Sequence, residues 1–570
     1  MKAAPLQEFE AKDKIDTGLT TFDRFVAFSF RIFARPASII SVRMPKLGEN
    51  IQRSNLKTTP QGLVAVALLI CAVTAAASLI LVPIGLLGFG FIWVLFVPLA
   101  IPVEFIMTIS MPSMSATNRA AAIDNEMPFV LGYLSVLAGG GVAPMAAFKR
   151  IGQMDLLPAS QKEARRILLQ TSVFGMDPIT AMETVAKATP SRHFSEFLSG
   201  TTAVLKTGGN LEAYVTTKLK DTVSVRSSAI KRSSDITGTL AEAYLTVTVV
   251  LGMTLYTLNM INVLLSHSYG ALEQIYMFAF IIVPIISTAF IWMMDSTAPK
   301  WPFTDYRSYR PLMYSVPAGL VIFILPLPIA LYMKTGFALI AVALPPAVAA
   351  TKASNEKRAM ERALPEFIRD VAEGRKTGLS PEKSIERLTN RPYGVLSKPV
   401  MKMGSQLSWG VSLSNVVSSF TKSVNSWITK IVGTLLVEVV DVGGGTVGSF
   451  SELADFTRTV NDLENDRRAA LRPFVFITYI AGVMVIITTF IIIYMLAEPS
   501  QVGYAASNTL DPGTVDLLLT TSVFDTFVIG LVAGKMGESN LSDGFKHSCL
   551  LVTVSIIAVL VAKLFIKIPV

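Results

Sequence analysis

The residues of this chain that could do chemistry are few and scattered. His193, His267 and His547 stand far apart and lack the helical spacing of metal ligands. Cys71 and Cys549 both fall in apolar stretches and support neither a disulfide framework nor a metal site. No phosphate-binding loop is present, because the glycines around 530–535 have the wrong spacing and run into Met536. Two acids, Glu242 and Asp525, lie in apolar runs. An ionisable group in a membrane is costly and faces a bundle interior or a wet cavity. Each is therefore either a polar contact that moves with a mechanism or a statically packed group. Asp525 lacks the second membrane aspartate and the Gly-x-Gly-Asp setting that intramembrane proteolysis needs. The expectation is a non-enzymatic protein without cofactor or metal.

The elements that must position such residues are mostly apolar. The chain has 570 residues, 51% of them hydrophobic, with a mean hydropathy of +0.53. It also has 50 Lys and Arg against 41 Asp and Glu, so the charges must be segregated. Nine apolar runs approach the length of a bilayer span: 62–82, 83–103, 243–272, 274–294, 311–333, 335–351, 473–497, 515–534 and 548–562. With the N-terminus inside, 47 of the 50 basic residues fall on the cytoplasmic side, leaving only Lys334, Lys563 and Lys567 outside. The first 60 residues have no cleavage-type apolar core. The expected protein is an all-α, multi-pass cell-membrane protein. Residues 1–61 form a cytoplasmic arm, 62–106 a membrane hairpin, and 107–235 a first cytoplasmic cassette. Then come membrane helices over 236–294, a loop over 295–310 and a second hairpin over 311–351. A second cassette over 352–473 leads to three membrane helices over 474–570. In the arm, Thr20-Thr21-Phe22-Asp23 reads as a capping box. It opens a basic, Phe-rich amphipathic helix that ends at Pro36, lying on the inner leaflet or on another cytoplasmic helix.

The two cassettes are copies. Residues 118–152 align without gaps on 355–389 at an offset of 237, pairing Pro128 with Pro365, Gly141 with Gly378, Pro144 with Pro381 and Arg150 with Arg387. A second block at offset 236 pairs Gly208-Gly209 with Gly444-Gly445 and Lys231-Arg232 with Arg467-Arg468. Gly and Pro punctuate a backbone, so matches at these types carry structural weight. Pro128 and Pro365 are expected in the first turn of a helix that ends at a glycine turn, with Pro144 or Pro381 opening the next. Each cassette is thus a small antiparallel helical bundle. Its basic surface fits anionic lipid, especially at Lys231-Arg232 and Arg467-Arg468, or an acidic protein. Interleaved acids such as Asp155, Glu163, Asp370 and Glu382 disfavour nucleic acid.

Residues 364–373 (Leu-Pro-Glu-Phe-Ile-Arg-Asp-Val-Ala-Glu), then Thr377-Gly378-Leu379-Ser380-Pro381 and residues 440–450, resemble the type II secretion F domain family. The first copy, 127–130 and 141–144, is similar but divergent. Nine spans around two cassettes with an N-terminal arm resemble the archaeal members of that family, the platforms of archaella and adhesion pili. The resemblance implies a membrane platform whose cassettes bind a hexameric secretion ATPase and whose spans handle prepilin- or archaellin-like subunits, with a homodimer as the assembly. It implies docking through Lys149, Arg150, Lys206, Arg375, Lys376 and Arg387, with the more basic second cassette as principal contact. The chain departs from the family in having Thr207-Gly208-Gly209 where Gly-Glu is frequent, so no acidic contact is carried over. A secondary transporter is the rival, but transporter repeats put broken helices and polar groups at midplane.

Overall fold

The computed structural model describes residues 21–88, 98, 100–266, 277–297, 307–443, 445–497, 512–538 and 540–565. No strand occurs among the described residues. The chain divides into two units, residues 1–130 with 145–214, and residues 131–144 with 215–570.

The first unit opens with α1 (Thr21–Val42) and α2 (Pro45–Ser54), packed on α3 (Pro60–Gly88). Ala37, Leu47, Ile51, Leu63, Val64 and Ala65 form their common core. Pro36 does not end α1, as the sequence had suggested. The helix passes through it after a kink at Phe33 (φ −112°, ψ 26°). Pro36 has no amide to give the carbonyl of Ile32, and opening the turn at Phe33 lets its ring clear. The stretch Phe22–Val42 is also long and apolar enough to cross a membrane. Thr20 of the expected capping box lies outside the described residues. Then α4 (Ala100–Ala138) enters the first cassette, followed by α5 (Pro144–Ile151), α6 (Pro158–Ser172), α7 (Pro178–Ala188) and α8 (Arg192–Thr207). Asp177 caps α7 by accepting from the amides of Ile179 and Thr180, and Ser191 caps α8 by accepting from Phe194.

The second unit contains α9 (Leu211–Ser266), a π-helical turn at Phe278–Ile282, α10 (Val283–Thr297), α11 (Leu312–Ile324) and α12 (Leu331–Lys376). The second cassette continues with α13 (Pro381–Arg387), α14 (Ser397–Ser408), α15 (Leu413–Ser423) and α16 (Trp427–Gly443). Last come α17 (Val447–Ala497), α18 (Pro512–Glu538) and α19 (Gly544–Phe565). Against nine expected spans, seven helices among the described residues are long and apolar enough to cross a membrane. The expected spans 83–103 and 243–272 lie partly outside the described residues. The expected span 311–333 is broken, because α11 ends at Ile324 and Pro326 and Pro328 interrupt the chain before α12. The exposed amide at the start of α12 is met by Asp516, whose carboxylate accepts from Leu331 at 2.9 Å. Helix α18 is the most enclosed of these helices. Its Gly534 comes so close to α19 that a Cβ there would lie 2.1 Å from Gly544 Cα. Small residues permit such backbone approach, which is how helices associate without a hydrophobic drive between them.

One expectation about the cassettes fails in both copies. Pro128 and Pro365 do not open helices but stand inside α4 and α12. An interior proline costs about 3 kcal/mol. Around Pro128, however, Met127, Phe129, Val130 and Leu131 are buried, and around Pro365 Leu364, Phe367 and Ile368 are. Each such burial stabilises by about 1.5–3 kcal/mol, so continuing the helix wins.

Candidate functional site: cassette turns and paired helices

In the second cassette the two sequence blocks meet in space. The Arg375 guanidinium donates to the Gly445 carbonyl at 2.6 and 2.9 Å and to the Leu379 carbonyl at 2.5 Å. Gly445 has φ +65°, and a Cβ on it would lie 3.0 Å from Phe450 and 3.4 Å from Pro381. The turn after α12, with Gly378 at φ +86°, is thereby fastened to the turn before α17. The first copy has Ala138 at the position of Arg375, which removes this fastening and accounts for part of its divergence. Gly141 has φ +75°, while Gly444 lies outside the described residues. Pro144 and Pro381 are the first residues of α5 and α13.

A contact that sequence alignment missed recurs in both cassettes. Ser191 donates to Asp124 at 2.5 Å, and Ser426 donates to Glu361 at 2.8 Å. Each serine also caps the helix that follows, so an acid on the entering helix fixes a capping residue. The signal was hidden because aspartate stands in one copy and glutamate in the other. Other buried acids are likewise matched. In the first cassette Glu126 accepts from the Ala159 and Ser160 amides, and Glu163 pairs with Arg119. Burial, the largest effect, raises the Glu126 carboxyl above the ordinary range, against lowering by those two amides and by Lys162. In the second, Tyr393 donates to Asp370 at 2.6 Å, and burial followed by that bond pushes its phenol up.

The buried Glu361 and Glu464 change the reading of one basic pair. Arg468 bonds both acids, at 2.8 and 3.0 Å, and Arg467 bonds Glu464 at 2.8 Å. Arg467-Arg468 therefore neutralise buried acids rather than lying open to lipid, whereas Lys231-Arg232 are exposed. Arg375, holding two carbonyls, is likewise not an open docking cation. Lys149, Lys206, Lys376 and Arg387 are exposed and Arg150 is half-buried. Lys206 pairs with Glu183 and Lys376 with Glu373. The structure also reveals a face the sequence reading overlooked. Trp409 is 85% exposed at the end of α14, a helix that also exposes Lys398, Met401 and Lys402, and residues 397–437 contain no acid. At the matching offset of 236 the first cassette exposes Val173, and next to it Phe174. Of the two acids in apolar runs, Glu242 is exposed and Asp525 is buried.

Within the second unit, the helices that leave the two cassettes run parallel and in register. Ser234 Oγ donates to the Ala470 carbonyl at 2.9 Å. A Cβ on Gly238 would lie 2.7 Å from the Phe474 ring. Higher up, Ser135 lies 2.9 Å from Thr216 and 3.3 Å from Glu452. The pairs 234/470, 238/474 and 216/452 all differ by 236, the offset of the second repeat block. Equivalent positions of α9 and α17 therefore face one another, which only parallel helices in matching register allow. The segment 131–144 packs beside them. There Tyr133 donates to Glu438 at 3.3 Å, and Gly132 leaves room for the Phe456 ring.

Comparison with known proteins agrees with the duplication. The family described as type II secretion system (T2SS), protein F, matches residues 130–258 and again 367–494. Its two starts differ by 237 and its two ends by 236, the offsets found in the repeat. The chain is 20% identical over 480 residues to the uncharacterized protein MJ1286 of Methanocaldococcus jannaschii, covering 78% of this chain and 80% of that one. No solved structure matches. Duplicated cassettes, apolar helices and a twice-matched family model agree: the type II secretion system protein F domain is present once in each half of a chain with several helices long and apolar enough to cross a membrane.

Proposed function

We propose that this protein is the platform of an archaeal type IV filament machine, the archaellum in the first instance. Its cassettes receive a hexameric secretion ATPase, and its spans act on prepilin- or archaellin-like subunits. The observation that carries the reading is helix continuity. Helix α9 has 56 residues and α17 has 51, so each runs unbroken from a cassette into apolar sequence. At 1.5 Å per residue α9 is about 84 Å long. A push on a cassette would reach the membrane along two paired helices, and α17 continues through its interior Pro473 without ending. A secondary transporter would instead be expected to break its helices at a polar midplane. Both longest helices here stay intact.

Each cassette has its own docking surface on this reading: exposed Lys149 and half-buried Arg150 in the first, and in the second the exposed cations Lys376 and Arg387 with the acid-free stretch that holds Lys398, Lys402 and Trp409. An acidic partner would be steered by the charge and anchored by the indole. Lipid contact falls to Lys231-Arg232, and nucleic acid has no part. The N-terminus is cytoplasmic, and an adhesion-pilus platform is the alternative within the family. The test is ATPase binding to full-length protein in nanodiscs at physiological salt. Charge reversal of Lys149, Arg150, Lys376 and Arg387 should weaken binding about tenfold or more, with a lower association rate. Arg375 is kept, because its loss would unfasten Gly445. Unchanged binding in that variant and in Trp409→Ala would overturn the docking assignment. Uptake of small solutes by vesicles holding the protein would favour the transporter.

A further inference from the structure

Farther along the seam between α9 and α17 lies a cavity that the platform reading does not use. Val249 and Val485 line it, as do Gly252 and Thr488. Both pairs again differ by 236, so the cavity lies between equivalent positions of the two copies. It exists because the first copy has glycine where the second has threonine. Thr248 also borders it, and Asp525 reaches in from α18. The space open to the centre of a water molecule is about 10 Å³, room for one water or one ion of similar size.

Asp525 is 2% exposed, and among the described residues its Oδ1 has no hydrogen-bond partner. Among the described residues, no basic side chain lines the cavity. Of the titratable groups on the surrounding helices, Tyr244 is close enough to Asp525 to feel its charge, but its hydroxyl is engaged by Ser287 and Thr248. On α9, the Tyr244 hydroxyl lies 3.0 Å from Ser287 of α10. Tyr479 of α17 is bonded to His547 of α19, Lys535 of α18 to Asp295 of α10, and Asp516 of α18 to the Leu331 amide. A carboxylate cannot remain in such a place with its charge uncompensated. The π-helical turn at Phe278–Ile282 supplies a second, independent sign. Its Phe278 lines the same cavity, and such turns gather at functional sites.

We propose that Asp525 and this cavity bind one small monovalent cation, a proton or a sodium ion, with the hydroxyls of Thr248 and Thr488 as neighbouring oxygens. The site touches both helices that carry the cassettes. Its occupancy therefore governs how firmly α9 and α17 close on each other at membrane level. The cation neutralises Asp525 and draws the two helices onto α18. An empty site leaves a bare charge that favours opening.

The experiment measures local opening of α9 and α17 by amide hydrogen exchange, on full-length protein in nanodiscs and without ATPase. It therefore stands or falls separately from the platform reading. Sodium is varied against choline at constant ionic strength, and pH is varied without sodium. If sodium is the ligand, the opening constant falls up to tenfold for each tenfold rise in sodium. If the proton is the ligand, it falls up to tenfold for each unit of acidification, with no response to sodium. Asp525→Asn should abolish either dependence. Thr488→Val, which keeps the carboxylate and is the safer fold, should weaken the sodium response. A wild-type opening constant that ignores both cations, or an Asp525→Asn protein that retains the wild-type dependence, would overturn the proposal.

Discussion

Gly132→Ala adds a single methyl group at the tightest point between the segment 131–144 and α17. The new Cβ would lie 2.3, 2.4 and 2.8 Å from three atoms of the Phe456 ring. That ring is 2% exposed and has nowhere to swing. On an isolated helix the exchange would gain about 1 kcal/mol from propensity. Overpacking of a buried site costs about 1–3 kcal/mol, and contact with three ring atoms belongs near the upper end. A net loss of about 1–2 kcal/mol is therefore expected. Phe456→Leu alone should cost roughly 1–2 kcal/mol in lost burial. Combining the two removes the clash, so the double variant should be less destabilised than the sum by about 1–3 kcal/mol. Hydrogen exchange on the full chain in nanodiscs reads the opening free energy of residues 131–138 and 453–460 directly. Additivity within about 0.5 kcal/mol would refute the idea that Gly132 is there to admit the ring.

Two further outcomes follow from the cassettes. Gly445→Ala meets both a positive φ and the Phe450 and Pro381 contacts, whereas Gly208→Ala meets a φ of +68° with nothing within 4 Å of its Cβ. The left-handed conformation alone costs about 1–2 kcal/mol, so Gly445→Ala should destabilise its cassette more than Gly208→Ala does; equal losses in thermal unfolding would count against the Arg375–Gly445 fastening. Because burial raises the Glu126 carboxyl, the unfolded chain releases that proton first as pH rises. The group's stabilising contribution is complete below its unfolded value of about 4.5 and declines as pH rises through the higher folded value. Glu126→Gln should flatten this pH dependence in the exchange of α6 amides, and an unaltered slope would show that another group is responsible.

Much of this protein could be read from its residues in order. Charge-free runs exist because a bilayer core tolerates no unpaired charge, so the helical membrane class was visible from composition and segregation alone. The duplication was visible because glycine and proline mark backbone geometry, and copies that keep a fold keep those marks. What the sequence misplaced were energetic contests. Pro128, Pro365 and Pro36 read as boundaries, yet buried apolar neighbours or a nearby kink carry the helix through each. Arg375, Arg467 and Arg468 read as open cations, because sequence shows a charge but not the carbonyl or buried acid beside it. The Asp124–Ser191 and Glu361–Ser426 caps were obscured by an aspartate-for-glutamate exchange that tertiary distance tolerates. The pairing of α9 with α17, and the placing of Asp525 on their seam, belonged to the tertiary structure alone. An offset of 236 says that two helices are related, but only packing decides that related helices meet side by side. Burial, in turn, decides which of two acids in apolar runs stays exposed, as Glu242 does, and which is left to find a cation.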